Sequence, residues 1–183
     1  MVNKFKRQNI KIMKTINIFK IAAFALIGLL VMACGSNNTY KNVDELLAQV
    51  SPNVTEITVT ELHQLFDDGE IIVLIDVREA NEFNPGYIPG AVNIPRGLIE
   101  FNVLKDDFWE NQFLYPPLKT DLVVVYCKKG HRGLLTADVL QKFGFENVKY
   151  LKGGFKAWEL AYPNEQLKNL EQVHDGGAEV GGC

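Results

Sequence analysis

The sequence predicts an α/β fold: a central parallel five-stranded sheet with helices on both faces. Three observations carry this. Short apolar runs of strand length alternate along the chain with capped or amphipathic segments of helix length, and such alternation gives parallel strands joined by crossover helices. The two strongest runs, residues 71–75 and Leu122–Tyr126, are apolar without interruption, as strands covered on both faces are. Residues 34–183 are enough for one domain with a real core.

Residues 1–33 are expected to lie outside that fold. Lys4, Lys6, Arg7, Lys11, Lys14 and Lys20 bring six positive charges with no acid, and residues 21–33 carry no charge at all. Thirteen residues are too few for a bilayer-spanning helix, which takes about 20. They suit the apolar core of a secretory signal. Residues 34–53 read as a linker holding one short helix, Val43–Val50, with Leu46, Leu47 and Val50 on one side. The folded domain is expected over residues 54–163. Its first strand is 57–59, and Thr60 caps a helix over 61–66 that Gly69 follows in a turn. Residues 71–75 form the second strand, 91–93 the third and Leu122–Tyr126 the fourth, at the centre of the sheet. The next helix buries Leu135, Val139, Leu140 and Phe143, and Gly144 ends it. Residues 148–151 are the last strand and 154–160 the last helix. The connection 96–119 exceeds the usual length. It reads as a helix packed on the sheet, or as an aromatic wall over the cysteine that follows the next strand or a docking surface, with Phe101, Phe108, Trp109, Phe113, Leu114 and Tyr115. Residues 164–183 form a glycine-rich tail, expected to be flexible.

Charge and composition exclude several function classes. The chain has 19 basic and 22 acidic residues; without the leader, 13 basic residues remain against the same 22 acids. A nucleic-acid partner is therefore not expected. Three cysteines, Cys34, Cys127 and Cys183, make no disulfide framework. His63 and His174 stand alone, so no metal site is expected, and no phosphate-binding glycine motif or dinucleotide fingerprint calls for a cofactor.

The chemistry is concentrated in Cys127-Lys128-Lys129-Gly130-His131-Arg132, directly after the central strand. In open α/β sheets ligands bind at the carboxyl ends of the strands. A cysteine is nucleophilic as its thiolate, which neighbouring cations and a helix N-terminus favour. Both are in place, since a helix begins near Arg132 and its first N–H groups face the loop. Lys128 and Lys129 are placed to attract an anion. Arg96, just after Pro95, is placed to help bind one if its loop folds toward the site. Asp76 and Arg78 end the second strand at the same edge of the sheet; Arg78 is expected to pair with an acid such as Glu82 and hold the loop rather than to react.

Four stretches in order then carry a resemblance: Asp76-Val77-Arg78-Glu79, Gly86-Tyr87-Ile88-Pro89-Gly90-Ala91-Val92-Asn93-Ile94-Pro95, the cysteine loop, and Lys152-Gly153-Gly154-Phe155-Lys156-Ala157-Trp158. Together they resemble the rhodanese (sulfurtransferase) family, with its G-H-I-P-G-A-x-N-I-P, C-x-x-G-x-R and E-G-G-x-x-A-W patterns. The likeness runs over about residues 54–163. Tyr87 stands where the family has His, and Gly133 where Ser or Ala follows the loop Arg. The resemblance implies a rhodanese-like sheet and sulfur transfer. In this family a loop of six residues from Cys to Arg suits sulfur. Dual-specificity cell-cycle phosphatases of the same fold have one residue more, which widens the cradle for phosphate. Residues 127–132 are six.

The expected activity is transfer of sulfane sulfur through a persulfide on Cys127. The donor is a small anion such as thiosulfate, and a thiol or cyanide accepts. Backbone N–H groups of 128–132 stabilise the anionic sulfur, Arg132 anchors the loop, and Gly130 and His131 complete it. The alternative is a non-enzymatic sulfur carrier or binding module using the same loop. Val31-Met32-Ala33-Cys34 resembles a bacterial lipoprotein signal, which implies lipidation of Cys34 and an envelope protein tethered to the membrane. Cys183 reads as an incidental thiol or a partner for Cys127.

Overall fold

The computed structural model describes residues 39–169. The expectations for the leader, Cys34, and the tail from residue 170, Cys183 included, lie outside the described residues. The chain separates into two units between Tyr40 and Lys41, and every element below belongs to the second.

The elements follow one another as α1 (Val43–Val50), β1 (Thr55–Ile57), α2 (Val59–Asp67), β2 (Val73–Asp76), α3 (Ala80–Phe83), β3 (Val92–Asn93), α4 (Ile99–Asn102), α5 (Asp106–Glu110), β4 (Leu122–Tyr126), α6 (His131–Lys142), β5 (Asn147–Leu151) and α7 (Gly154–Ala161). The strands form one sheet in the order β1-β5-β4-β2-β3, and each pair is parallel. The expected five-stranded α/β architecture is thus the observed one. β4 lies at its centre, and the register Asp76↔Tyr126 brings the carboxyl ends of β2 and β4 side by side.

Side chains of a strand alternate between faces, and β4 sorts the core accordingly. Val123, Val125 and Cys127 face one cluster, which holds Leu47 and Val50 of α1, Ile99 of α4 and Leu140 of α6. Val124 and Tyr126 face the other, with Leu62 of α2 and Phe155 and Trp158 of α7. The helix anticipated within a linker, α1, is therefore part of the packed body.

Several local expectations are corrected. The first strand is 55–57, not 57–59, because Thr58 rather than Thr60 starts the helix. The Thr58 hydroxyl accepts from the Glu61 N–H at 3.2 Å, and the Glu61 carboxylate accepts from the Thr58 N–H at 2.8 Å. This reciprocal box satisfies two of the donors a helix start leaves open. Ile71 precedes β2 and is 92% exposed, so the apolar run enters the sheet only at Val73. In α6 the buried residues are Gly133, Leu134, Thr136, Ala137 and Leu140, while Phe143 is exposed; the small residues let the helix lie close on β4. The connection 96–119 holds a 3-10 turn, Arg96–Leu98, and two short α-helices rather than one helix. Ile99, Val103 and Trp109 are buried with Cys127 in one cluster, and the Trp109 indole N–H donates to the Val103 carbonyl at 3.0 Å. Phe113 and Tyr115 are 97% and 90% exposed, so they build no wall over the cysteine.

Candidate active site

Cys127 follows β4 directly and is wholly buried. The Gly130 N–H donates to its Sγ at 3.2 Å. Gly130 takes φ 107° as the residue before α6, a left-handed conformation that glycine adopts without steric cost.

The loop's other face is held by α7. The Phe155 N–H donates to the Cys127 carbonyl at 2.8 Å, and the Lys156 N–H to the Lys128 carbonyl at 3.0 Å. In a trans peptide the N–H points opposite to the C=O. With the Cys127 and Lys128 carbonyls turned toward α7, the N–H groups of Lys128 and Lys129 are turned away from it, into the loop. This approach requires glycine. Gly154 sits at φ 60°, and a Cβ there would run into the Cys127 carbonyl oxygen and the Gly130 nitrogen. The N-terminus of the twelve-residue α6 also opens onto the loop, adding partial positive charge.

Arg132 anchors the loop from its far end. Its guanidinium donates to both Glu82 carboxylate oxygens, at 2.7 and 3.0 Å. Burial alone would push the Glu82 carboxyl up, but the hydrogen bonds and charge of Arg132 outweigh it and hold Glu82 below the usual carboxylate range.

Asp76 and Arg78 form a second, fully buried pair with an Nη2–Oδ2 distance of 2.6 Å. Arg78 also donates to the carbonyls of Glu82 and Gly86, each at 2.7 Å. Its guanidinium lies 4.2 Å from the Phe155 ring centroid. The expected pairing of Arg78 with the Glu82 carboxylate is corrected: Asp76 takes the side chain of Arg78 and also its N–H at 2.9 Å, which leaves Glu82 to Arg132. Burial pushes the Asp76 carboxyl up, and Arg78 acts in the opposite direction. The Tyr126 hydroxyl accepts from the Ile88 N–H at 3.1 Å. Burial, and next the Asp76 charge, raise its pKa well above the ordinary tyrosine value. Together these groups fix the 76–88 segment against the base of the cysteine loop.

Of the remaining anticipated residues, Lys128 is half-buried, and Lys129 and His131 are exposed. Arg96 is tied by its backbone N–H to Val77, whose own N–H donates to the Tyr126 carbonyl. It therefore stands at the reactive edge of the sheet, with its guanidinium 2.9 Å from the Glu100 carboxylate. Three contributors were given no such role from sequence: Glu82 as the Arg132 partner, Gly154, and Lys156. The paired glycines at 153–154 were a visible signal for the second.

The matches to known proteins cover this same part of the chain. The rhodanese-like domain model matches residues 58–161. A mitochondrial protein of Schizosaccharomyces pombe, whose name gives it provisionally as a thiosulfate sulfurtransferase, is 38% identical over 88 residues, 47% of this chain and 62% of the relative. The chain thus spans less than two thirds of that relative's length. The thiosulfate sulfurtransferase GlpE of Pseudoalteromonas translucida is 30% identical over 106 residues, 58% of this chain and 90% of the relative. Among solved structures, the human single-domain sulfurtransferase TSTD1 superposes with a TM-score of 0.55 at 28% identity, over 60% of this chain and 97% of that one. The chain belongs to the rhodanese-like domain family.

Proposed function

We propose that this protein is a sulfurtransferase that carries sulfane sulfur on Cys127. The Cys127 thiolate attacks the outer sulfur of thiosulfate or a similar anionic donor. The donor's S–S bond breaks, sulfite leaves with the electron pair, and Cys127 holds a persulfide. An acceptor nucleophile, cyanide or a thiolate, then attacks the outer sulfur, and the bond to Sγ breaks to return the Cys127 thiolate. Ping-pong kinetics follow from such a covalent two-step cycle. The observation that carries this reading is the buried Sγ with the Gly130 N–H on it at 3.2 Å, in a loop whose first two carbonyls are turned outward to α7. Donors fixed in advance around a developing anion stabilise it without reorganisation. A loop of six residues supports sulfur over the larger phosphate. Lys128 and Lys129 draw the anionic donor in, and Arg132 keeps the loop in shape through Glu82.

Mass spectrometry after thiosulfate treatment tests this. Wild type is expected to gain one sulfur atom on Cys127 and release sulfite; Cys127→Ser is expected to do neither while remaining folded. Full activity of the Ser variant would sink the assignment. The anchor is proposed on sequence alone: Cys34 carries the lipid and tethers the enzyme to a bacterial envelope membrane. Detergent partitioning of wild type and Cys34→Ala decides it, and aqueous partitioning of both would rule the anchor out.

A further inference from the structure

The connection 96–119 crosses a whole face of the domain. It starts at the carboxyl edge of the sheet, where the Arg96 N–H donates to the Val77 carbonyl, and leads back to the amino end of β4 at Leu122. Inward, Ile99, Val103 and Trp109 join the core cluster that α1 and α6 also cover. Outward, Leu98, Phe101, Leu104, Phe113, Tyr115 and Leu118 are exposed. Among the described residues of the opposite face, α2 and α7 expose one large apolar residue, Leu160. Phe113 sharpens the contrast. It holds φ 59°, a left-handed conformation that is uncommon and strained for a bulky residue. Its ring is almost fully in solvent, so packing inside the domain does not offset that strain.

A contiguous apolar face of this kind marks a contact surface, and the length of chain ahead of the fold points to a lipid surface as its occupant. Eight residues separate Cys34 from Val43, the first residue of α1. Fully extended, that stretch reaches about 30 Å, less than the width of a compact domain of this size, roughly 35 Å. α1 and α4 both pack on α6 within one cluster, so the chain joins the fold on the face that carries the exposed aromatic residues. Resting on the Cys34 anchor proposed above, we infer that the outer side of residues 98–118 lies on the membrane. The rings of Phe101, Phe113 and Tyr115 sit at the level of the lipid headgroups, where aromatic side chains are favoured. Charge does not drive the contact. Arg96 pairs with Glu100 and Lys105 reaches Asp107, while Asp106 and Glu110 add exposed acids. The tether makes attraction from a distance unnecessary, because it turns the second contact into an intramolecular one. Since the connection runs from one edge of the sheet to the other, the strands lie along the membrane plane and the cysteine loop opens parallel to it.

The test reconstitutes the full lipidated chain in phosphatidylcholine vesicles with two tryptophan reporters. Phe113→Trp reads the aromatic face and Leu160→Trp the opposite one, each against the wild-type background of Trp109 and Trp158. Brominated acyl chains quench a tryptophan only at short range. The added emission of Phe113→Trp is expected to fall about two-fold or more in brominated vesicles, and that of Leu160→Trp by less than about a tenth, since an interfacial side chain sits roughly 5–10 Å deep. Adding Phe101→Ser and Tyr115→Ser to Phe113→Trp should remove most of the quenching. The unfolding midpoint should stay at the wild-type value, because substitutions at exposed positions rarely disturb a fold. Equal quenching of the two reporters, or quenching that survives Phe101→Ser with Tyr115→Ser, would overturn the inference while a lipid-bearing Cys34 peptide in the mass spectrum upheld the anchor. Phe113→Trp emission that moves to shorter wavelength with protein concentration in the absence of vesicles would assign the face to a second copy of the chain and overturn the inference as well. A Cys34 peptide without lipid would overturn both.

Discussion

Two connections leave the same edge of the sheet and behave differently. After β4, the four residues 127–130 turn directly into α6, and the polar groups from Cys127 to Arg132 are engaged: Gly130 on the sulfur, the Cys127 and Lys128 carbonyls on α7, Arg132 on Glu82. After β3, residues 96–119 wander through a 3-10 turn and two short α-helices, held by Ile99, Val103 and Trp109, while Phe101, Phe113 and Tyr115 stay exposed. A bound anion must be met by donors already in position, because ordering them at the moment of reaction would cost conformational entropy. The short loop is held accordingly. The long connection needs only to cover one face of the core. If this contrast is right, small changes in the first should be costly and large changes in the second should be tolerated.

The largest effect on sulfur transfer is expected at Gly154. A methyl group there meets the Cys127 carbonyl and the Gly130 nitrogen, at a positive φ that suits glycine. Gly154→Ala should lower stability by about 1–3 kcal/mol, the range for backbone held in a sparsely populated region. It should also cut sulfur transfer more deeply than the stability loss explains, because the loop N–H groups would lose their aim. Denaturant unfolding and single-turnover persulfide formation check the two parts. A variant with normal transfer would show that the loop holds its shape without the close approach of α7.

A smaller effect is expected at Glu82. Its carboxyl lies below the unfolded value, so its contribution to stability is complete above the unfolded pKa, roughly 4.3, and is lost as pH falls through the lower folded value. The pair is partly exposed, with Arg132 at 22%, so screening keeps the contribution to about 1 kcal/mol or less. Glu82→Gln should lower stability slightly at pH 7 and flatten the loss of stability between about pH 5 and 3. Parallel pH profiles for wild type and variant would contradict the assignment of Arg132 as the partner.

These two residues also mark where the sequence was and was not legible. Leu122–Tyr126 emerged with its observed bounds because a central parallel strand is apolar on both faces, and the cysteine's position followed from it. α1 emerged likewise from its spaced leucines and Val50. Thr58 and Thr60 both stand near the helix start, but only Thr58-x-x-Glu61 carries the reciprocal box. The α6 stripe failed for a different reason. Large apolar residues alone point to the wrong stripe, whereas a helix lying close on β4 buries Gly133, Thr136 and Ala137 beside Leu134 and Leu140. The Arg132–Glu82 pair joins residues 50 apart in the chain, and no periodicity links them. Arg78 is near Glu82 in sequence, but Asp76 meets Arg78 around the end of a strand.

The smallest effect is expected in the long connection. Phe113 and Tyr115 are almost fully exposed, and substitutions at such positions usually change stability by no more than about 0.5 kcal/mol. Phe113→Ser with Tyr115→Ser should therefore leave both the unfolding midpoint and sulfur transfer to small thiols unchanged. The control lies a few residues earlier in the same connection. Trp109 is buried and shares a cluster with Cys127, and truncating a core tryptophan to alanine costs about 3–5 kcal/mol. Side by side, the two substitutions separate the part of this segment that holds the sheet from the part that does not. A clear drop in transfer for the Phe113/Tyr115 variant, with stability intact, would mean that these aromatic residues act on the cysteine loop after all, and the contrast between the two connections would fail.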